Sequence, residues 1–82
     1  MTLNELRYIV AVAQEKSFGR AAAKCFVSQP ALSVAIQKLE EELGAQLFER
    51  GKSEVSVTSV GARVVEQAQV VHRPLDDLVD HF

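Results

Sequence analysis

Apolar and polar positions change period twice along the chain. Helical spacing holds to residue 43, strand-like runs occupy residues 47–58, and a near-heptad repeat follows to the end. Thr2 with Glu5 three residues on is a capping-box pattern, which predicts a helix running to about Glu15. Leu3, Leu6, Val10 and Ala13 make its expected inner stripe, with Ile9 on the flank. Tyr8 and Val12 form a second apolar face, available as extra core or as an interface. Ser17 caps a shorter helix predicted over residues 18–24, where Ala21, Ala22 and Ala23 keep the backbone accessible to a close neighbour. Cys25, Phe26 and Val27 then form a tight turn without glycine, in which Phe26 and Val27 are expected to plug the core.

The third helix, predicted over residues 28–43, is the one the others present. Ser28 is its N-cap, Pro30 sits in the first turn where a missing N–H is harmless, and Gly44 is the expected C-cap. Leu32, Ala35, Ile36, Leu39 and Leu43 form one apolar stripe. The opposite face carries Gln29, Ser33 and Gln37 at four-residue intervals, with Pro30, Val34 and Lys38 beside them. A merely solvated face would be rich in Glu and Lys, whereas this one holds its glutamates, Glu40 to Glu42, for the far end. Amides and hydroxyls read base edges in a major groove, and a small aliphatic such as Val34 can meet a thymine methyl. A short helix, a tight turn and a longer helix with a readable polar face together make the helix-turn-helix plan.

Residues 47–50 and 55–58 read as two short strands around a polar tip, Gly51 to Glu54. Arg50 and Lys52 flank Gly51, which suits a hairpin laid against phosphates or a minor groove rather than an idle loop. Thr58 caps the last helix, in which Gly61 is an early weak point. Val60, Val64, Ala68, Val71, Leu75, Leu78 and Phe82 recur at spacings of four and three, close to a heptad seam. A helix over residues 59–82 would reach roughly 36 Å, too long for one small domain to cover. The natural cover is the same helix of a second chain, so a homodimer is expected, with this seam as its interface. Pro74 within the pattern predicts a bend near residues 72–75. The expected organisation is a DNA-binding unit over residues 1–58 and a linker and dimerisation helix over 59–82.

Charge refines this picture. The net charge of −2 argues against nucleic acid at first. Residues 1–38, however, carry five cations and two anions, whereas residues 39–82 carry four and nine. A basic half and an acidic half fit one surface for DNA and one for a partner. Arg20, Lys24, Lys38, Arg50, Lys52 and the Ser28 hydroxyl are the candidate phosphate contacts, and Gln29, Ser33 and Gln37 the candidate base readers. A chain of 82 residues has a marginal core, and its single cysteine cannot close an internal disulfide. One Cys with His72 and His81 lacks the spacing of a metal site, so no metal or cofactor is expected. No leader or membrane-spanning run is recognisable, which points to a cytoplasmic setting.

Ser17, Phe18, Ala21 and Ala22 are followed by Val27 to Ser33, by Ile36, Leu39, Glu40, Leu43 and Gly44, by Leu47 to Arg50, and by Thr58 and Gly61. This ordered string resembles the N-terminal DNA-binding domain of LysR-type transcriptional regulators over essentially the whole chain. Phe18 to Ala22, Cys25 to Pro30 and Leu39 to Gly44 look most like the peroxide-sensing OxyR branch. The resemblance implies a mainly α, winged helix-turn-helix fold dimerised through the long linker helix, tetrameric in the longer protein, and bound to an interrupted inverted repeat in double-stranded DNA. It also implies an effector or redox-sensing domain C-terminal to residue 82. Gln29, Pro30 and Ser33 match the family's base-reading positions. Position 34, often basic in relatives, is Val34 here, and Thr58-Ser59 stands for the common Thr-Pro.

Two rivals frame these expectations. A winged-helix interaction module without DNA binding would suit the acidic total and the apolar last helix, but not the amide-lined face or the basic wing. An enzyme with Cys25 as nucleophile would need a base or acid near it, and both histidines lie in the far helix. Cys25 is expected to be a packing residue.

Overall fold

A computed structural model of the chain describes residues 1–80, and side chains for residues 1–69. Its elements in order are α1 (Leu3–Glu15), α2 (Phe18–Lys24), α3 (Gln29–Leu43), β1 (Phe48–Arg50), β2 (Val55–Val57) and α4 (Ser59–Asp80). Each helix starts where a side chain caps it. Thr2 and Glu5 form the reciprocal capping box, with Glu5 N donating to Thr2 Oγ1 at 3.1 Å and Thr2 N to Glu5 Oε1 at 3.3 Å. Ser17 Oγ accepts from Arg20 N, Ser28 Oγ from Ala31 N, and Thr58 Oγ1 from Gly61 N. These contacts satisfy amides that a helix N-terminus otherwise leaves without a partner.

Helix ends are equally local. Gly44 closes α3 at φ 67°, with Gly44 N donating to Glu41 O and Ala45 N to Glu40 O. The same double bond ends α2, where Phe26 N donates to Ala23 O and Val27 N to Ala22 O. Phe26 holds the left-handed position of this Schellman ending, at φ 59°, where glycine is usual. That geometry overturns one expectation. Val27 tucks against the core as expected, but the left-handed backbone turns Phe26 outward, and it is 91% exposed.

The core gathers Ile9 and Val12 of α1, Phe18, Ala21 and Ala22 of α2, and Leu32, Ile36 and Leu39 of α3. Leu47 and Phe48 close it from the wing, and Cys25 packs among them as a small buried thiol. Here α1 departs from expectation. Its buried face is centred on Ile9 and Val12, whereas Leu6, Val10 and Ala13 are half-covered and Leu3 is 59% exposed. Both faces of α1 are apolar, and periodicity does not tell which of two apolar faces looks inward.

The wing is an antiparallel pair in which Phe48 faces Val57, Glu49 faces Ser56 and Arg50 faces Val55. It is tied to the helices at three points. Val55 N donates to Lys16 O in the α1–α2 link. Glu40 Oε2 accepts from Leu47 N at 2.7 Å and Phe48 N at 3.4 Å. Thr58 donates through Oγ1 to Gln46 O and through its amide to Leu47 O.

Helix α4 packs along α1 and against the base of β2. Gly61 is buried there, and a Cβ on it would run into Leu47 O and lie 2.8 Å from Val57 Cγ1. A weak point in the sequence is thus the close approach that joins α4 to the wing. Ala68 is fully buried within the chain and Val64 packs against the core, so Ala68 is not free to join an interface. The heptad period marks the apolar seam but not the element that covers it, and α1 takes this part. Val60 stays 39% exposed. The helix continues through Pro74, so the proline does not stop it. The side chains of seam positions Val71, Leu75 and Leu78, all of Phe82, and the side-chain surroundings of the bend expected at 72–75 lie outside what the structure describes.

Candidate nucleic-acid interface

Helix α3 buries Leu32, Ile36 and Leu39 to within 2% and turns its polar face out. Gln29, Pro30, Gln37 and Lys38 are exposed, Val34 is 51% exposed, and Ser33 is half-buried at the edge. Hydrogen bonds of neighbouring side chains go to caps, to α1 and to the wing root, and among the described residues none occupies Gln29, Ser33 or Gln37. The face is polar, free and held rigidly by the apolar stripe behind it.

Two open grooves flank the junction of α3 with the wing. One, of about 510 Å³, runs between α3 and β1 and is lined by Ser33, Gln37, Glu40, Phe48 and Arg50, with Phe18 at its floor. The other, of about 380 Å³, lies between the start of α2 and the wing tip, lined by Gly19, Gln29, Arg50, Lys52 and again Phe18. The fold therefore brings Gln29 to the wing tip with Lys52, and Ser33 and Gln37 to Arg50. Arg50 and Phe18 border both grooves.

Arg50 is not a free surface cation. Phe48 and Arg50 are two residues apart on β1, so strand alternation sets both on one face. That face meets Phe18: its ring is edge-on to Phe48, with centroids 6.2 Å apart at 80°. The Arg50 guanidinium lies over the same ring, 4.3 Å from its centroid.

Arg20 and Lys24 are engaged elsewhere. Arg20 donates to Glu15 O at 2.6 Å and pairs with the Glu15 carboxylate at 3.9 Å. Lys24 lies 3.7 Å from the other Glu15 oxygen and donates to Gln14 Oε1 at 2.7 Å. Both cations fasten the start of the helix-turn-helix to the end of α1. Ser28 Oγ accepts a capping bond, which leaves its hydroxyl proton available.

Two contributors were hidden in the sequence. Glu40 sits in a run of three glutamates, and nothing in the run marks it as the one that fixes the wing root. Phe18 reads as a core aromatic, and only the alternation of Phe48 and Arg50 hints that a wing cation lies on it.

Residues 3–62 match the family described as "Bacterial regulatory helix-turn-helix protein, lysR family". The chain belongs to that family. It is a LysR-type DNA-binding domain with a winged helix-turn-helix fold. Its similarity to OxyR proteins is strong: it is 48% identical over 73 residues to the "DNA-binding transcriptional dual regulator OxyR" of Escherichia coli (strain K12), covering 89% of this chain and 24% of that protein. Among solved structures, full-length OxyR C199D from Pseudomonas aeruginosa shares 56% identity at a TM-score of 0.83, over 98% of this chain and 27% of that one. The BenM DNA-binding domain in complex with catB site 1 DNA shares 46% identity at a TM-score of 0.86, over 99% of this chain and 90% of that one. The chain thus spans about a quarter of the length of the OxyR relatives it matches. No described helix is long and apolar enough to cross a membrane.

Proposed function

We propose that this LysR-type domain reads an interrupted inverted repeat as a homodimer, in the cytoplasm, for a regulator of the hydrogen-peroxide response. The observation that carries the DNA reading is the free amide and hydroxyl face of α3 converging with the basic wing. Gln29, Ser33 and Gln37 hydrogen-bond base edges in the major groove, and Pro30 and Val34 offer apolar contact to thymine methyls. Ser28, Lys38, Arg50 and Lys52 hold phosphates, with the wing tip reaching toward the minor groove. Arg20 and Lys24 join them by exchanging Glu15 for a phosphate oxygen.

Residues 1–58 form the reading unit and α4 the dimerisation arm, with the longer protein assembling as a tetramer. Exposed Leu3 and Val60, and half-covered Leu6 and Val10, support a second copy as the cover for α1 and α4. The peroxide assignment is supported by relatives named "Hydrogen peroxide-inducible genes activator", 49% identical over 73 residues.

Selection of tight binders from a random duplex pool, followed by fluorescence anisotropy across a salt series, tests the DNA reading. The selected duplex is expected to be an interrupted inverted repeat, bound more tightly than a scrambled duplex and with affinity falling steeply in salt. A lack of binding to either duplex at any salt concentration, by a chain that sediments as a dimer, would favour a protein-interaction module instead.

A further inference from the structure

Among the described residues, the wing cation fixed in place is Arg50, and what fixes it is an aromatic ring from another element. Phe18 is only 7% exposed, so its ring is immobilised by the core on one side. Phe48 meets it in an edge-on contact, and the Arg50 guanidinium covers its open face. An arginine side chain carries large rotamer freedom, and a planar guanidinium stacked on a ring surrenders much of it before any ligand arrives. Stacking leaves the in-plane N–H donors uncovered. Those donors sit at the border of both grooves, between the Gln29 side and the Ser33 and Gln37 side.

We propose that Phe18 is a positioning residue for DNA binding: its ring holds the Arg50 guanidinium ready to meet a backbone phosphate where α3 and the wing join. This rests on the DNA-reading function above and adds to it a residue that touches no DNA itself. A phosphate accepts two parallel N–H bonds from a guanidinium presented in one plane. The ring sets that plane.

The test is a double-mutant cycle read by anisotropy on the selected duplex across a salt series. Arg50→Gln should weaken binding and make log affinity less steep against log salt by about 1.8, the loss of one phosphate contact at about 0.9 in each of the two half-sites. Phe18→Leu, which keeps an apolar core residue but removes the ring, should weaken binding about threefold to tenfold. In the Arg50→Gln background Phe18→Leu should add nothing. A loss by the same factor in both backgrounds would mean that Phe18 acts only through the core. An unchanged affinity and slope in Arg50→Gln, with the inverted repeat still preferred, would overturn the proposal and leave the DNA reading standing. Absence of any duplex binding by the unsubstituted chain would remove both.

Phe18→Tyr keeps the ring and should bind like the unsubstituted chain, which guards against a Phe18→Leu variant that does not fold. The stack itself is visible without DNA. Ring current from Phe18 should shift the Arg50 side-chain protons upfield in the NMR spectrum, and random-coil shifts there would refute the positioning directly.

Discussion

At the scale of single residues, Phe26 shows how backbone geometry overrides side-chain preference. A bulky residue in the left-handed region costs about 1–2 kcal/mol relative to glycine, and Phe26 recovers none of this by burial, being 91% exposed. Phe26→Gly should therefore raise stability, by about 1 kcal/mol at most once the looser unfolded chain is counted. Urea unfolding checks this, and an unchanged or lower midpoint would mean that the ring makes contacts that the exposure does not reveal. On the reading face the division of labour is also a single-residue matter. Gln29→Ala should cost about 1–3 kcal/mol on the selected duplex and relax preference at one base position. Lys52→Ala should weaken all duplexes alike and flatten the salt slope by about 1 per half-site. Anisotropy on a panel of single-base variants separates the two, and a uniform loss in both would mean that Gln29 is another phosphate contact.

At the scale of elements, stability and function meet where α4 docks on the wing. Gly61 lets the first turn of α4 lie against Leu47 O, and Thr58 Oγ1 donates to the neighbouring Gln46 O in the link that leads into β1. Gly61→Ala would normally stabilise a helix, by up to about 1 kcal/mol. Here the added methyl meets backbone, which cannot swing aside, so a net loss of about 1–3 kcal/mol is expected. The thermal midpoint should fall, and DNA affinity with it, because the wing root must shift; a rise would show that α4 stands off from the wing in solution. This contact also marks the limit of what the sequence discloses. Capping signals act within four residues, so Thr2, Ser17, Ser28, Thr58 and Gly44 announce the helix ends. The amide face of α3 is likewise a local pattern. Contacts between elements are not: Glu40 with the wing root, Gly61 with Leu47 and Arg50 with Phe18 all lie beyond the reach of a helical turn, and the last two join residues far apart in the chain. Which of two apolar faces of α1 points inward, and which way Phe26 points, depend on those same distant neighbours.

At the scale of the whole molecule, the apolar surface left over after folding is what calls for a second copy. The strip of Leu3, Leu6 and Val10 on α1 is left partly open although α1 already buries Ile9 and Val12, and exposed Val60 lies at the start of α4. A charge placed on this strip should separate assembly from folding. Leu3→Glu is suited to this, since Leu3 is 59% exposed and opens α1, where a carboxylate is favoured by the helix dipole. The fold should be unharmed, with the thermal midpoint of the dilute protein unchanged or slightly raised. A dimer that buries this position would have to desolvate an unpaired carboxylate, so its dissociation constant should rise by at least about tenfold. Sedimentation velocity across a concentration series reads that change. On DNA the consequence should be selective: affinity for a full inverted repeat falls with the dimer, whereas affinity for an isolated half-site, which one reading helix and one wing serve, stays as it was. A dimer constant unmoved by Leu3→Glu would confine the interface to α4, and the open strip on α1 would then need another cover.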